Sequence, residues 1–573
     1  MIETILTRPA PAADAGPLDE RFWDLVETRF RRLVEANPQM ATYVGIHSHD
    51  ERLPDGSRDA VIAEIDAERA HLAAIETLDE GALSPAVRFE RELEVHNVRR
   101  ALFDLDVHRV WERRGTAMDT LGEGLFLIFA RDFAPLAERL ASMTGRLEAV
   151  PAFLAASRSR LTDAPVRLWQ ELEARAADDM PGLFAEIVEA AEGVIAEPEL
   201  RRLRMAADRA TAAVAEYGTW IRSTLPDATG GWSLGRERLD ELVRLRAFDD
   251  LDADAILAIG EEQLRLNREG RARTAREIDP SVDEATVVDR IKSDHPATFA
   301  EALEEYRTAT ARARAHLIEH HIVTVPDDER LEIIPTPEYL RNVIPFAAYF
   351  EPPKFDRSPS GIYVVTPSVG DDPGAMREHN RSSMSNTSVH EAYPGHHLQL
   401  SVAGHHPSLV RLRSDAPEFV EGWGMYSEQM MREQGFDDGP GFWLNVYTDA
   451  IWRACRIILD VRMHRGELSV GDATRFLVEQ TSFEEANARA EVDRYTYTPT
   501  YQLSYLLGKV LLLQLRDDER RRLGDAFALR AFHDTLLRNG SLPMRYHRRL
   551  FAEAAAGAAW ATRVPVAAAG GRA

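Results

Sequence analysis

In LDERFWDLVETRFRRLVEANP, apolar residues recur three and four positions apart, at Phe22, Leu25, Val26, Phe30 and Leu33, with charged residues between them. That rhythm puts them on one face of a 3.6-residue period and predicts an amphipathic helix. It recurs in RFERELEVHNVRRALFDL, APLAERLASMTGRLEAVPAFLAASRSRL, GLFAEIVEAAEGVIAEPELRRLRMAADRATAAVAEYGTWIRSTL and DADAILAIGEEQLRLNREGRARTAREI, so roughly the first 300 residues are expected to be mostly helical.

The rhythm stops in LEIIPTPEYLRNVIPFAAYFEPPKFDRSPSGIYVVTPSVGDDPG. Pro335, Pro337, Pro345, Pro352, Pro353, Pro359, Pro367 and Pro373 preclude long helices, because proline lacks an amide donor and crowds the preceding turn. GIYVVT, Gly361 to Thr366, reads as a short strand. Helical spacing resumes after Ser388 and lasts to RRLFAEAAAGAAW. The chain is therefore read as mostly α, with a small β-sheet. Its parts are a flexible N-terminus at 1–16, a helical half at 17–330, a half bearing the candidate chemistry at 331–555 and an Ala/Gly-rich tail at 556–573. No linker separates the halves, which are expected to form one continuous domain.

Charge narrows the partners. Lys and Arg total 69 against 94 Asp and Glu, a formal net charge of -25, and the only lysines are Lys292, Lys354 and Lys509. Such a field repels phosphate backbones and anionic bilayers, so neither nucleic acid nor membrane is an expected partner. MIETILTRPAPAADAG has no basic region followed by an apolar stretch, and no apolar run approaches the roughly 20 residues of a membrane-spanning helix. The single cysteine, Cys455, reads as a small buried residue in a reducing compartment. A cytoplasmic protein is expected. Oligomeric state stays open, with a homodimer among the options.

The chemistry concentrates in HEAYPGHH, His390 to His397. In an HExxH helix two histidines four apart share a face and a cation, and the glutamate between them serves as general base. Here the fourth position after His390 is Pro394. On an unbroken helix His396 would face the wrong way, and His397 would sit about 10 Å along the axis. Pro394-Gly395 is suited to a bulge or break, since one lacks a helical donor and the other tolerates unusual dihedrals. With two residues looped out there, His396 takes the second histidine's place, flanking Glu391 with His390. His397 is the competing ligand. A histidine-rich helix end, with His405 and His406 nearby, is the non-functional alternative.

PEFVEGWGMYSEQMMREQG reads as a helix bearing Glu421 and Glu428 on one face. Either carboxylate would complete a His/His/Glu zinc site with one position open for water. Glu421 is the preferred ligand, and Glu428 suits a partner that orients a ligand histidine.

HEAYPGHHLQ, EGWGMYSE and RYTYTPTYQLSYLLGK resemble the bacterial proteins grouped as domain of unknown function 885, over about residues 20 to 555. The resemblance implies a large helical metallopeptidase-like fold with a glutamate zinc ligand, as in thimet oligopeptidase and angiotensin-converting enzyme. Phe419-Val420-Glu421 is similar to the F-V-E segment of thimet-type enzymes, which favours Glu421. The chain departs from the pattern in its stretched histidine spacing, and in Pro499-Thr500-Tyr501-Gln502 where the family has Pro-Gly-Gln.

Amide hydrolysis also needs a donor to the oxyanion. Resemblance to the related peptidases favours Tyr505, then Tyr501. Arg494, Arg453 or Arg456 would suit a substrate carboxylate, and Tyr495 is a further substrate contact. Asp460 and His464, four apart on one helix face, read first as a structural ion-pair network, with a proton-transfer or oxyanion role for His464 as the alternative. The strand carrying Tyr363 is expected, by analogy, to hold an extended peptide as an edge strand does. The expectation is a cytoplasmic zinc peptidase of short peptides binding one zinc ion per chain. The alternatives are an amidase of a peptide-like metabolite and a metal-free binding protein that retains the fold.

Overall fold

The computed structural model describes residues 6–562 except 13, 163, 338–340, 342, 343, 345, 368–374, 415 and 482. The first half is helical as the periodicity predicts. Its main elements are α1 (Pro17–Ala36), α2 (Pro85–Leu102), α3 (Leu136–Ser157), α4 (Arg167–Ala191), α5 (Glu197–Thr224), α6 (Ala253–Ile278) and α7 (Phe299–Glu319). On α1 the apolar stripe turns inward, with Phe22, Val26, Phe30 and Leu33 buried. Met143, Leu147, Phe184, Leu203 and Val214 of α3 to α5 form one core. A second joins Phe22 and Phe30 to Leu409, Leu542 and Tyr546, far along the chain. The largest draws Tyr306 and Ala313 of α7 together with Tyr363, Trp423, Val461 and Leu511. Both halves thus share hydrophobic cores.

The N-terminal arm is tied down more firmly than its composition suggests. Arg8 Nε donates to Glu27 at 2.7 Å and the Thr7 hydroxyl to the Pro407 carbonyl at 3.1 Å. The acidic first turns of α1 supply carboxylates that composition alone does not place. Residues 1–5 and 13 of the expected mobile arm, and 563–573 of the expected tail, lie outside the described residues. The described start of the tail includes a short helix, Ala559–Thr562, whose Trp560 packs 5.6 Å from Phe89.

The proline-rich segment contributes β1 (Leu331–Pro335), β2 (Ala347–Phe350) and β3 (Gly361–Val365). They form a sheet in the order β1-β3-β2, with β1 parallel and β2 antiparallel to β3. Tyr363 pairs with Ile333 on one side and Tyr349 on the other. This corrects the expected peptide-binding role of Tyr363: β3 is the central strand, its ladder bonds are taken on both edges, and the tyrosine is fully buried against Tyr306.

Helices resume with α8 (Arg381–Glu391), α9 (His396–Gly404), α10 (Pro417–Glu433), α11 (Pro440–His464), α12 (Glu485–Tyr495) and α13 (Ser504–Leu523). No helix among the described residues is long and apolar enough to cross a membrane.

Candidate metal centre

α8 begins where the Asn380 side chain accepts from the Ser383 amide at 2.9 Å. It ends at Glu391 because Pro394 offers no amide to the His390 carbonyl. Two hydrogen bonds carry the chain over the break, from Gly395 N to Val389 O at 3.0 Å and from Leu398 N to Ala392 O at 3.3 Å. Each spans six residues where a helical bond spans four, so the break absorbs two residues. The Trp423 indole of α10 donates to the Pro394 carbonyl at 2.7 Å and pins the turn. The rings of His390 and His396 consequently meet, perpendicular, with centroids 4.7 Å apart.

α10 carries Glu421 and Glu428 two turns apart with Gly424 between them on the same face. A Cβ at Gly424 would stand 2.7 Å from the His390 ring, so glycine lets α10 close upon the imidazole. Glu428 Oε1 then lies 2.7 Å from His390 Nδ1. Glu421 Oε2 lies 3.5 Å from His390 Nε2 and 3.4 Å from His396 Nε2. One ligand atom from each of His390, His396 and Glu421 falls within 4.8 Å of the others. A tetrahedron with bonds of about 2.1 Å has edges of about 3.4 Å, so both nitrogen–oxygen separations suit a zinc-sized cation. Burial opposes charge on His390, but hydrogen bonds to Glu421 and Glu428 lift its pKa to about 10. Burial also opposes charge on Glu421, and the two histidines hold its carboxyl well below the ordinary range.

His397 faces elsewhere. Its Nε2 lies 2.7 Å from Glu329 and its Nδ1 2.9 Å from the Tyr349 hydroxyl. Glu329 also accepts from Tyr393 at 2.5 Å and from Arg314 Nε at 2.8 Å. His397 is therefore not brought together with His390 and Glu421, because Glu329 and Tyr349 hold its two ring nitrogens. Glu391, the last residue of α8, is half-buried beside His390.

The tyrosine segment reaches the same place. Thr500 adopts φ 65°, the left-handed turn that suits the glycine of the family pattern, and its amide donates to Asp460 at 3.0 Å. The turn delivers the Tyr501 hydroxyl to Glu421 at 3.0 Å, with the Tyr505 hydroxyl 3.3 Å beyond. The charge on Glu421, then burial, raise the Tyr501 phenol well above its ordinary pKa. Arg456 lies over the Tyr505 ring at 4.7 Å, and Arg453 over the same ring at 5.9 Å. Arg494, partly exposed, stands over Tyr501 at 5.8 Å and pairs with Glu491 at 3.2 Å.

Two other expectations are corrected. Tyr495 is fully buried, its hydroxyl donating to Glu491 at 2.7 Å and accepting from Arg456 at 3.1 Å, so it supports the arginines and does not face a substrate. Asp460 and His464 are both buried but have different partners: Asp460 takes the Thr500 amide, and His464 Nε2 bonds the Tyr495 carbonyl at 2.9 Å. Burial lowers His464 to about 4 and raises Asp460 to about 7, so the pair is a structural anchor for the tyrosine turn.

A cavity of about 280 Å³ opens beside Glu421 and Tyr501, with Tyr43, Glu351 and Lys354 on its walls. Glu329, Tyr43 and Glu351 have no local signature in the sequence. Only the fold brings them here.

The bacterial protein family of unknown function DUF885 matches residues 38–550. The chain belongs to this family. No curated protein matches it. Among solved structures, this DUF885 chain is similar to a protein from Shewanella oneidensis described as a candidate lipoprotein of unknown function. That pair has a TM-score of 0.76 and 22% identity, over 93% of this chain and 100% of the other. It is also similar to a candidate lipoprotein from Colwellia psychrerythraea, with a TM-score of 0.80 and 18% identity over 93% and 98% of the two chains. These likenesses establish a shared fold for the DUF885 chain.

Proposed function

We propose that this protein is a zinc-dependent peptidase acting on short peptides. The observation that carries the reading is the convergence of His390 Nε2, His396 Nε2 and a Glu421 oxygen within 4.8 Å, with Glu391 next in chain to the first ligand. Two imidazoles and a carboxylate are the donor set of catalytic zinc sites, which keep one position open. Zinc bound there supplies Lewis acidity toward a peptide carbonyl.

The chain's own groups do the rest. Glu391 takes a proton from the attacking water as its oxygen adds to the carbonyl carbon, then passes that proton to the amine as the C–N bond breaks. Tyr505 and Tyr501 are the donors for the carbonyl oxygen, Tyr501 lying on the cavity wall beside Glu421. Arg494 and Arg453 are retained as candidate anchors for a substrate carboxylate. A cytoplasmic location is the proposal from the sequence; the lipoprotein description of two relatives favours an extracytoplasmic one, and cell fractionation decides between them.

The test is metal content and hydrolysis of a mixed short-peptide library by the wild type and Glu391→Gln. One zinc ion in each, with cleavage in the wild type alone, is the expected result. A wild type that takes up no zinc, or that loads zinc and cleaves nothing, overturns the reading.

A further inference from the structure

Besides Glu421, the cavity is bordered by three charged side chains, Glu351, Lys354 and Arg411. Protein acceptors already occupy the cations. Arg411 Nε donates to Glu90 at 2.7 Å and its Nη1 to the Asn539 carbonyl at 2.8 Å. Lys354 Nζ donates to the carbonyls of Gly404 and His406, each at 2.6 Å.

Glu351 differs. Its carboxylate shares the cavity wall with Tyr43, and Arg131 is the cation acting upon it among the described residues. Arg131 directs its donors to backbone, Nη1 to the Tyr43 carbonyl at 2.7 Å and Nη2 to the carbonyl of Glu351 itself at 3.1 Å. A carboxylate offers about four acceptor positions, more than one neighbouring hydroxyl can fill. Burial raises the Glu351 carboxyl above its ordinary range against the pull of Tyr43 and Arg131, as befits an anion short of counter-charge.

Tyr43 comes from the short helix Pro38–Val44, Glu351 from the residue after β2 and Glu421 from α10. The cavity therefore joins an anion with spare acceptors to a metal ligand. An ammonium brings a positive charge and three N–H donors, and the Glu351 carboxylate and the Tyr43 phenol oxygen offer acceptors side by side. We propose that Glu351 anchors a primary ammonium group of the substrate in the cavity that Glu421 borders. This rests on the peptidase reading above, and it makes the preferred substrate a peptide with a free amine at one end of the bound segment. The ammonium is either a free N-terminus or a lysine side chain.

Calorimetric titration of the full-length, metal-free protein separates these cases without turnover. The probes are Ala-Ala, N-acetyl-Ala-Ala and N-acetyl-Lys-Ala, on the wild type, Glu351→Gln and Glu351→Asp. Wild type is expected to bind Ala-Ala, N-acetyl-Lys-Ala or both at least about 10-fold more tightly than N-acetyl-Ala-Ala. Glu351→Gln is expected to erase that difference by weakening only the probe that carries the ammonium, and Glu351→Asp to retain part of it. Preference for N-acetyl-Lys-Ala assigns the ammonium to a side chain; preference for Ala-Ala alone assigns it to the N-terminus. Equal affinities for all three probes or no binding in the wild type, or a preference that survives Glu351→Gln, overturns the proposal. Because the wild-type contrast needs neither the variants nor cleavage, loss of the peptidase reading would show separately, as zinc-loaded protein that cleaves nothing.

Discussion

Glu428 holds His390 by the edge of the ring that faces away from Glu421: Nδ1 stands 2.7 Å from Glu428 Oε1, and Nε2 faces Glu421 at 3.5 Å. A carboxylate accepting from Nδ1–H selects the tautomer whose Nε2 lone pair is free for a cation, and makes that nitrogen more basic. Glu428→Gln is expected to weaken zinc binding about 10- to 100-fold with little change in fold. Competition against a chromophoric chelator measures this, and unchanged affinity would reduce Glu428 to a packing residue.

The two neighbouring histidines should separate cleanly. His396→Ala is expected to abolish zinc uptake, measured by elemental analysis of the dialysed protein. His397→Gln is expected to keep the zinc but lose stability, because Glu329 and Tyr349 lose their shared partner. Leaving such buried groups unpaired costs about 1–3 kcal/mol, which a denaturant titration resolves. Zinc lost from His397→Gln with its fold intact would reverse the assignment.

α10 and α13 cross where both lack a side chain. A Cβ on Gly508 would stand 1.9 Å from the Glu418 carbonyl and 2.8 Å from the Gly422 Cα. Gly508→Ala must push the helices apart, at a cost on the order of 1–3 kcal/mol. The same displacement shifts Glu421 against Tyr505, so zinc affinity should fall with the unfolding midpoint. A variant with wild-type midpoint and affinity would show that the crossing has slack.

His47 gives the fold a pH dependence. Its Nδ1 lies 2.8 Å from Asp50 and its Nε2 2.7 Å from Asp356, five residues beyond Glu351. Burial opposes the imidazolium, but hydrogen bonds and attraction to both carboxylates raise it from 6.5 to about 9. A raised folded pKa stabilises fully below the unfolded value, so this contribution is present below pH 6.5 and lost as pH climbs through 9. Its size is on the order of 2 kcal/mol, reduced for partial exposure. Urea titrations across that window should show the decline in wild type and not in His47→Gln.

The helices of the first half were legible because a one-sided apolar rhythm has one low-energy solution, an amphipathic helix packed on a core. β3 was legible for its β-branched run, but its central position was not, since β1 and β2 are short pieces among prolines. Helical spacing puts Asp460 and His464 on one face but says only which residues are near and not which partner competes more strongly; Thr500 N takes Asp460 and Tyr495 O takes His464.

By itself the sequence determined what covalent order can carry: the mostly α character, the break at Pro394-Gly395, the adjacency of His390 and Glu391, and the phase of Glu421 and Glu428 on one helix face. Tertiary structure alone placed His396 beside Glu421 and His397 beside Glu329, 68 residues away in sequence. It alone placed Tyr43 and Glu351 on the cavity that Glu421 borders. Local spacing orients side chains within one element. Charged and polar partners from distant segments meet only after the chain has closed its cores, and their competition for hydrogen bonds then sets where each ring and carboxylate points.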